Sequence, residues 1–169
     1  MYRKEFMAMA NEEAKANVNG SDGGPFGCVI IKDGKVVSRA HNQVLVDHDP
    51  TAHGEITAIR KAGQALGTHD LTGCELYTSA MPCPMCLSAI IWANIKQVYY
   101  GNTADDAAAI GFRDAAIYDF INAGLKGDML ALTQHDRELT IRAFKDYQSA
   151  QKETLLAIRV VSSIISQND

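Results

Sequence analysis

This chain of 169 residues is short of three things: positive charge, long apolar runs and segments of biased composition. Lys and Arg number 16 against 20 Asp and Glu, a formal net charge of −4, the reverse of the basic footprint that nucleic-acid binding calls for. A nucleic-acid partner is therefore not expected. The longest apolar stretch, Leu155 to Ile165, is broken by Arg159 and two serines and falls well short of the ~18 residues that read as a bilayer span. No membrane insertion is expected. The opening MYRKEFMAMA contains no continuous apolar h-region ahead of a small-residue cleavage site, so it reads as an amphipathic helix and not as a secretory leader. There is no repeat, linker or low-complexity segment. What remains, with 47% hydrophobic and 21% charged residues, is the profile of a single globular domain spanning 1–169. A domain of this length buries roughly 70% of its unfolded surface. Its core needs neither disulfide nor metal, and a metal site would be there for function.

Cysteine is sparse as well. Of four, two form Cys83-Pro84-Met85-Cys86, a spacing that, without a secretion signal, points to metal or redox chemistry in a cytoplasmic protein. Periodicity predicts a helix over residues 2–17, a strand over Phe26 to Lys32, and an antiparallel return over Lys35 to Val46 through the Asp33-Gly34 hairpin. A helix follows over Thr51 to Leu66, a buried strand over Cys74 to Thr78, a helix over Cys83 to Ala93 and a strand over Gln97 to Gly101, with more helices after Ala104. The order β-β-α-β-α-β predicts one mixed sheet flanked by helices. Near the end, Leu155, Leu156, Ile158, Val160, Val161, Ile164 and Ile165 form an apolar cluster on a helical segment that starts at about residue 137, and such a cluster must pack on something.

His53-Gly54-Glu55 lies near the start of the first core helix, and Pro82-Cys83-Pro84-Met85-Cys86 opens the second. Strand-to-helix junctions of α/β sheets gather on one edge, so these two turns can bring one imidazole and two thiols to a common point. That ligand set suits zinc. No fourth Cys or His stands at ligand spacing, and three protein ligands with an open position describe a catalytic ion, where four would describe a structural one. Helix N-termini stabilise thiolates, and proline at an early helical position gives up an N–H that has no partner there anyway. Glu55, two residues from His53, can enter the same cavity without joining the coordination shell and can move protons between water and substrate nitrogen. Cys28 and Cys74 read as small strand hydrophobes, and His41, His48, His69 and His135 as surface or turn residues. On their own, Asn42 reads equally as a turn residue, Asp114 as a helix cap, and Phe26 and Trp92 as core.

The H-x-E and P-C-x-x-C pair is the signature of zinc nucleobase deaminases. The sequence resembles the cytidine-deaminase-like superfamily and, within it, looks most like the small bacterial guanine deaminases. The resemblance is carried by GGPFG (Gly23 to Gly27), Asn42, DPTAHGE (Asp49 to Glu55), TAIRKA (Thr57 to Ala62), LYTS (Leu76 to Ser79), PCPMCLSAI (Pro82 to Ile90), Trp92 and GFRD (Gly111 to Asp114). It implies a three-layer α/β/α fold with a mixed five-stranded sheet, one Zn2+ per chain on His53, Cys83 and Cys86, and Glu55 as proton shuttle. It further implies Asn42 on the ring edge of the base, Asp114 beside the leaving amino group, and Phe26 and Trp92 as apolar walls. It also implies a homodimer whose C-terminal segments are exchanged between subunits.

Three departures stand out. Gly54 occupies a position that is usually Ala in guanine deaminases, and His-Gly-Glu resembles the fungal-type cytosine deaminases. Met81 stands where guanine and tRNA adenosine deaminases usually have Glu. The segment from Gln134 to Asp169 does not follow the family. The expected activity is hydrolytic deamination of guanine to xanthine and ammonia. Cytosine, isocytosine, a related aminoheterocycle or a nucleoside are alternative substrates, and a tRNA adenosine deaminase or a non-catalytic zinc module are the competing classes.

Overall fold

The fold was obtained as a computed structural model that describes residues 1–165, with side chains through Lys152. The apolar cluster from Leu155 to Ile165 lies outside the described side chains. The chain forms two compact units, Met1–Lys126 and Gly127–Asp169. The second is built on one long helix, Arg137–Ile165, and the first holds everything that the sequence motifs occupy.

Within the first unit the elements run α1 (Lys4–Ala16), β1 (Gly27–Lys32), β2 (Lys35–His41), α2 (Gly54–Leu66), β3 (Cys74–Ala80), α3 (Pro84–Trp92), β4 (Gln97–Asn102), α4 (Ala104–Ala109) and α5 (Asp114–Asn122). The sheet order is β2-β1-β3-β4. β1 pairs antiparallel with both β2 and β3, while β3 pairs parallel with β4, so the sheet is mixed. The β1–β2 turn is the one its sequence asks for. Asp33 and Gly34 both take positive φ, 50° and 72°, as a two-residue type I′ hairpin requires.

The run Cys28-Val29-Ile30-Ile31 is apolar at every position because both faces of its strand are covered. Cys28 and Ile30, with Leu76 of β3, pack under Ala58 and Ala62 of α2 and Ile90 of α3. Val29 and Ile31, with Tyr77, pack under Phe6 and Ala10 of α1. This places α1 on one side of the sheet and α2 and α3 on the other, the expected three layers. Cys28 and Cys74 are buried in the α2–α3 layer, and all four cysteines are free thiols. Among the described residues, no helix is long and apolar enough to cross a membrane.

Two expectations are corrected. β2 ends at His41 and not at Val46, because the Asn42 side-chain oxygen accepts from the Val44 N–H at 3.1 Å, a local turn that competes with the ladder. The sheet has four strands among the described residues and not five. After β4 the sequence offers alanines at 104 and 107–109, with Asp105 and Asp106 in the first helical turn behind a Thr103 capping box, so the chain continues as α4 and α5.

The α1 layer sits hard against the sheet at Gly27. A Cβ there would overlap the Ala10 carbonyl oxygen and the Ala14 amide nitrogen, both backbone atoms that no rotamer change can move. Gly27→Ala should therefore destabilise the fold by about 2 kcal/mol, the usual cost of overpacking a filled core. Chemical denaturation of the two proteins measures the difference, and an unchanged midpoint would contradict the packing described.

Candidate active site

The two motif turns share one backbone design. His53 is the N-cap of α2 with φ −66° and ψ 160°, and Cys83 is the N-cap of α3 with φ −65° and ψ 167°. Pro84 follows as the first residue of α3, where its missing N–H and fixed φ suit a helix start. The His53 side chain makes no capping hydrogen bond to its own helix, and the Cys83 sulfur sits against Cys86 of α3. The imidazole and the thiol are turned toward each other instead.

The result is a compact donor set. Nδ1 of His53 lies 3.6 Å from Sγ of Cys83 and 3.6 Å from Sγ of Cys86, and the three donor atoms all lie within 4.8 Å of one another. A tetrahedral zinc with Zn–N of about 2.05 Å and Zn–S of about 2.3 Å separates nitrogen from sulfur by about 3.6 Å. The residues therefore fit the ion that the motif calls for. The Cys86 thiol donates to Cys83 and, with His53 beside it, holds the Cys83 thiol down to about 4. The hydrogen bond to Cys83 in turn raises His53 above its ordinary value. An anionic sulfur in a mostly buried site is a donor for a cation.

Glu55 is the second residue of α2 and is 5% exposed. Its Oε1 accepts from the Thr78 hydroxyl at 2.9 Å, and its Oε2 lies 3.4 Å from Sγ of Cys86. Burial raises its pKa, against the pull of its own backbone N–H and of Thr78. Asp114, the first residue of α5, is raised too, first by burial and then by the neighbouring Cys83.

Phe26, Asn42, His53, Glu55, Cys83 and Asp114 line a single small cavity together with Met81 and Phe112. It adjoins a larger hollow of about 570 Å³ that shares Asn42, His53 and Phe112 and is otherwise mostly apolar, with Pro25, Val44, Leu45 and Pro50 on its walls. Seven of the eight residues singled out from the sequence thus come together, counting Cys86 beneath the cavity floor. Trp92 does not join them. It ends α3, is 84% exposed, and lines a separate groove with Ile59, Leu71 and Ala89.

Sequence reasoning passed over three contributors. Thr78 orients Glu55; it lies in the LYTS segment, but a strand threonine carries no signal of its own. Phe112, inside GFRD, packs edge-to-face on Phe26 with centroids 4.6 Å apart at 85°. His41 is half-buried between two carboxylates, Nδ1 3.2 Å from Glu13 and Nε2 3.1 Å from Asp22, and is not the plain turn residue expected. His48, His69 and His135 are exposed, as anticipated.

A three-layer sheet with imidazole and thiolate donors at two helix starts, and a buried carboxylate next to them, is the arrangement of a hydrolytic zinc deaminase. Residues 1–102 match the cytidine and deoxycytidylate deaminase zinc-binding region, and the chain belongs to that family. It is 49% identical to guanine deaminase of Bacillus subtilis (strain 168) over 122 residues, 72% of this chain and 78% of that one. The crystal structure of guanine deaminase from Bacillus subtilis superposes with a TM-score of 0.81 at 41% identity, covering 88% of this chain and 95% of that one. A tRNA-specific adenosine deaminase of Agrobacterium fabrum is 42% identical over 99 residues, 59% of this chain and 64% of that one. The protein is a zinc-dependent hydrolytic deaminase of a heterocyclic amine.

Purified protein is expected to carry about one zinc per chain, the stoichiometry of a three-ligand catalytic site. Elemental analysis of Cys83→Ala and Cys86→Ala should show the metal lost from both. Full zinc in either variant would break the assignment of that sulfur.

Proposed function

We propose that this protein converts free guanine and water to xanthine and ammonia. The observation that carries the reading is the convergence of Glu55, Asn42, Asp114 and Phe26 with the His53 donor in one cavity, supported by the likeness over most of the chain to an enzyme named guanine deaminase. A flat heterocycle needs an apolar slot and a few convergent polar groups. Phe26 with Phe112 provides the slot, and Asn42 and Asp114 provide the polar groups.

His53, Cys83 and Cys86 would hold zinc, which when bound supplies the Lewis acidity that makes water nucleophilic near neutral pH. Glu55 takes one proton from a water molecule on Oε2 as the water oxygen bonds to the amine-bearing carbon, and delivers that proton to the ring nitrogen. It then takes the remaining proton of the new hydroxyl and passes it to the amine, which leaves as ammonia when the carbon–nitrogen bond breaks and the carbonyl forms. Burial suits it to this task, because a carboxyl raised toward neutrality both accepts and returns a proton readily. Thr78 holds Oε1, so Oε2 is the oxygen left to work. Asn42 spends its side-chain oxygen on the Val44 N–H, which turns its amide N–H groups to the ring edge of the base. Asp114 accepts from the exocyclic amine and keeps it directed at Glu55.

The same reading takes 1–169 as one deaminase domain acting in the cytoplasm as a homodimer, with helical segments from about residue 137 exchanged between subunits. Support for the dimer comes from the exposed apolar end of α3, where Ile91 is 63% and Trp92 84% exposed beside a groove of about 580 Å³. Two large apolar side chains side by side at a helix end are the kind of contiguous exposed surface that marks interaction sites.

Two measurements test these readings. Ammonia release over guanine, guanosine, cytosine, isocytosine, adenine and cytidine should rank guanine first by kcat/KM, and Glu55→Gln should lower it by at least about two orders of magnitude with zinc retained. A higher kcat/KM for a pyrimidine would replace the substrate, and an active Gln variant would move the shuttle to Asp114. Light scattering should give the mass of two chains. A fully active monomer would refute the dimer.

A further inference from the structure

We infer that Asn17 is a positioning residue for the base-binding pocket. It sits just past the end of α1, 3% exposed, and its side-chain nitrogen donates to two main-chain carbonyls, Gly24 at 2.8 Å and Asn42 at 3.0 Å. An amide nitrogen has two protons, and both are used. One atom thus ties together the two chain segments that face the base: the Gly23–Phe26 wall and the Asn42 turn.

The anchor behind this tie is firm. α1 is pinned to the sheet through Phe6 and Ala10 and through its close approach to Gly27. The Asn17 N–H continues the helix by donating to the Ala14 carbonyl at 3.2 Å. The two segments are joined directly at one end, where the Asn42 N–H donates to the Phe26 carbonyl at 2.9 Å, and Asn17 adds the tie at the glycine end. The wall carries Gly23, where a Cβ would occupy the position of the Asn42 side-chain oxygen, and Gly24, where one would overlap the Phe26 and Phe112 rings. Two glycines confer the looseness that lets the backbone come so close, and Asn17 removes it. His41 makes a parallel tie from the outside, joining Glu13 of α1 to Asp22 at the start of the same wall. The Asp22 carbonyl in turn accepts from the Leu45 N–H at 2.9 Å. The wall, the Asn42 turn and the end of α1 therefore form one hydrogen-bonded unit. Asn17 is its buried centre, and neither side of the tie belongs to the zinc ligand set.

The inference rests on the reading of Asn42 and Phe26 as base contacts, and the test separates the two. Asn17→Gly is the primary variant, since Asn17 lies past the last residue of α1 and glycine removes both hydrogen bonds without adding bulk. Asn17→Asp, of the same shape but without the amide protons, is the second should the first fold poorly. Ile31→Val, which trims a methyl from the α1–β1 core away from the site, controls for general loss of stability. With holoenzyme and the best base of the panel, Asn17→Gly should raise KM by about tenfold, a part of what the two lost amide bonds contribute to holding the pocket, while kcat stays within about twofold. Hydrogen exchange followed by mass spectrometry should speed up in 22–27 and 42–46 and stay unchanged in 28–32. Unchanged exchange in those segments would overturn the positioning role, as would an equal rise in KM in Ile31→Val. If Asn42→Ala leaves KM unaltered, the base-contact reading is what fails, and the exchange data still decide whether Asn17 positions the two segments.

Discussion

An imidazole nitrogen and two sulfurs, 30 and 33 residues apart in the chain, have to meet at 3.6 Å, and much of the domain serves that meeting. α2 and α3 lie on one face of the sheet and share a buried layer, so their starts are set by where the strands beneath them end. Ser38 of β2 donates to the Ala58 carbonyl at 2.8 Å and fixes α2 against rotation. At the other turn, the Tyr118 hydroxyl donates to the Pro82 carbonyl at 2.6 Å, which fastens α5 to the residue before Cys83. That bond has a second effect, because α5 begins with Asp114. Holding the thiolate turn and bringing Asp114 to the cavity are thus one packing event.

The electrostatics follow from the same geometry. Two helix N-termini point their free N–H groups at the site, a field that favours anions. It supports a thiolate at Cys83 and offsets part of the cost of burying a carboxylate at position 55. The offset is incomplete, since burial still raises Glu55, and that residue of unpaid desolvation is useful: a fully stabilised carboxylate would be too weak a proton carrier near neutrality. Thr78 sets the balance by donating one hydrogen bond to Oε1 and no charge.

What the sequence made legible was what is local in the chain. Each half of the site is written within a few positions: His53 and Glu55 at the start of α2, and Cys83 and Cys86 as an i, i+3 pair around a proline at the start of α3. The two buried faces of β1 showed as an uninterrupted apolar run. Contacts closed only by tertiary packing did not show: Thr78 on Glu55 joins residues 23 apart, and Asn17 on Asn42 joins residues 25 apart. Both residue types are common on turns and strands for other reasons. The end of β2 was misplaced because the apolar residues Val44 and Val46 continue a strand-like pattern after Asn42 has already turned the chain. The resemblance implies a fifth strand at a point where this chain's own alanines, with aspartates in the first turn, favour helix. Trp92 was assigned to the pocket on the same ground, and its place in the α2–α3 groove is set by the direction in which α3 ends.

The departure at Gly54 takes on a different meaning once its surroundings are known. Gly54 is buried, and its missing side chain would face the Phe26 carbonyl at 3.2 Å and the His41 main chain at 3.6 Å. An alanine there would press on the backbone of Phe26 from behind, and Phe26 could yield only by shifting against Phe112, whose ring meets it at 4.6 Å. Gly54 therefore bears on the width of the aromatic slot, and in the proposed function it would act on the base through that width alone. Met81 is the departure that lines the cavity itself. There an apolar thioether stands where a carboxylate would have had to be desolvated or paired, which leaves Asp114 and Glu55 as the two acidic groups lining that cavity. In the proposed mechanism, a base entering the slot meets Glu55 as the carboxylate that carries protons and Asp114 as the one that receives its amine, with no third carboxylate among the described lining residues to compete for the same hydrogens.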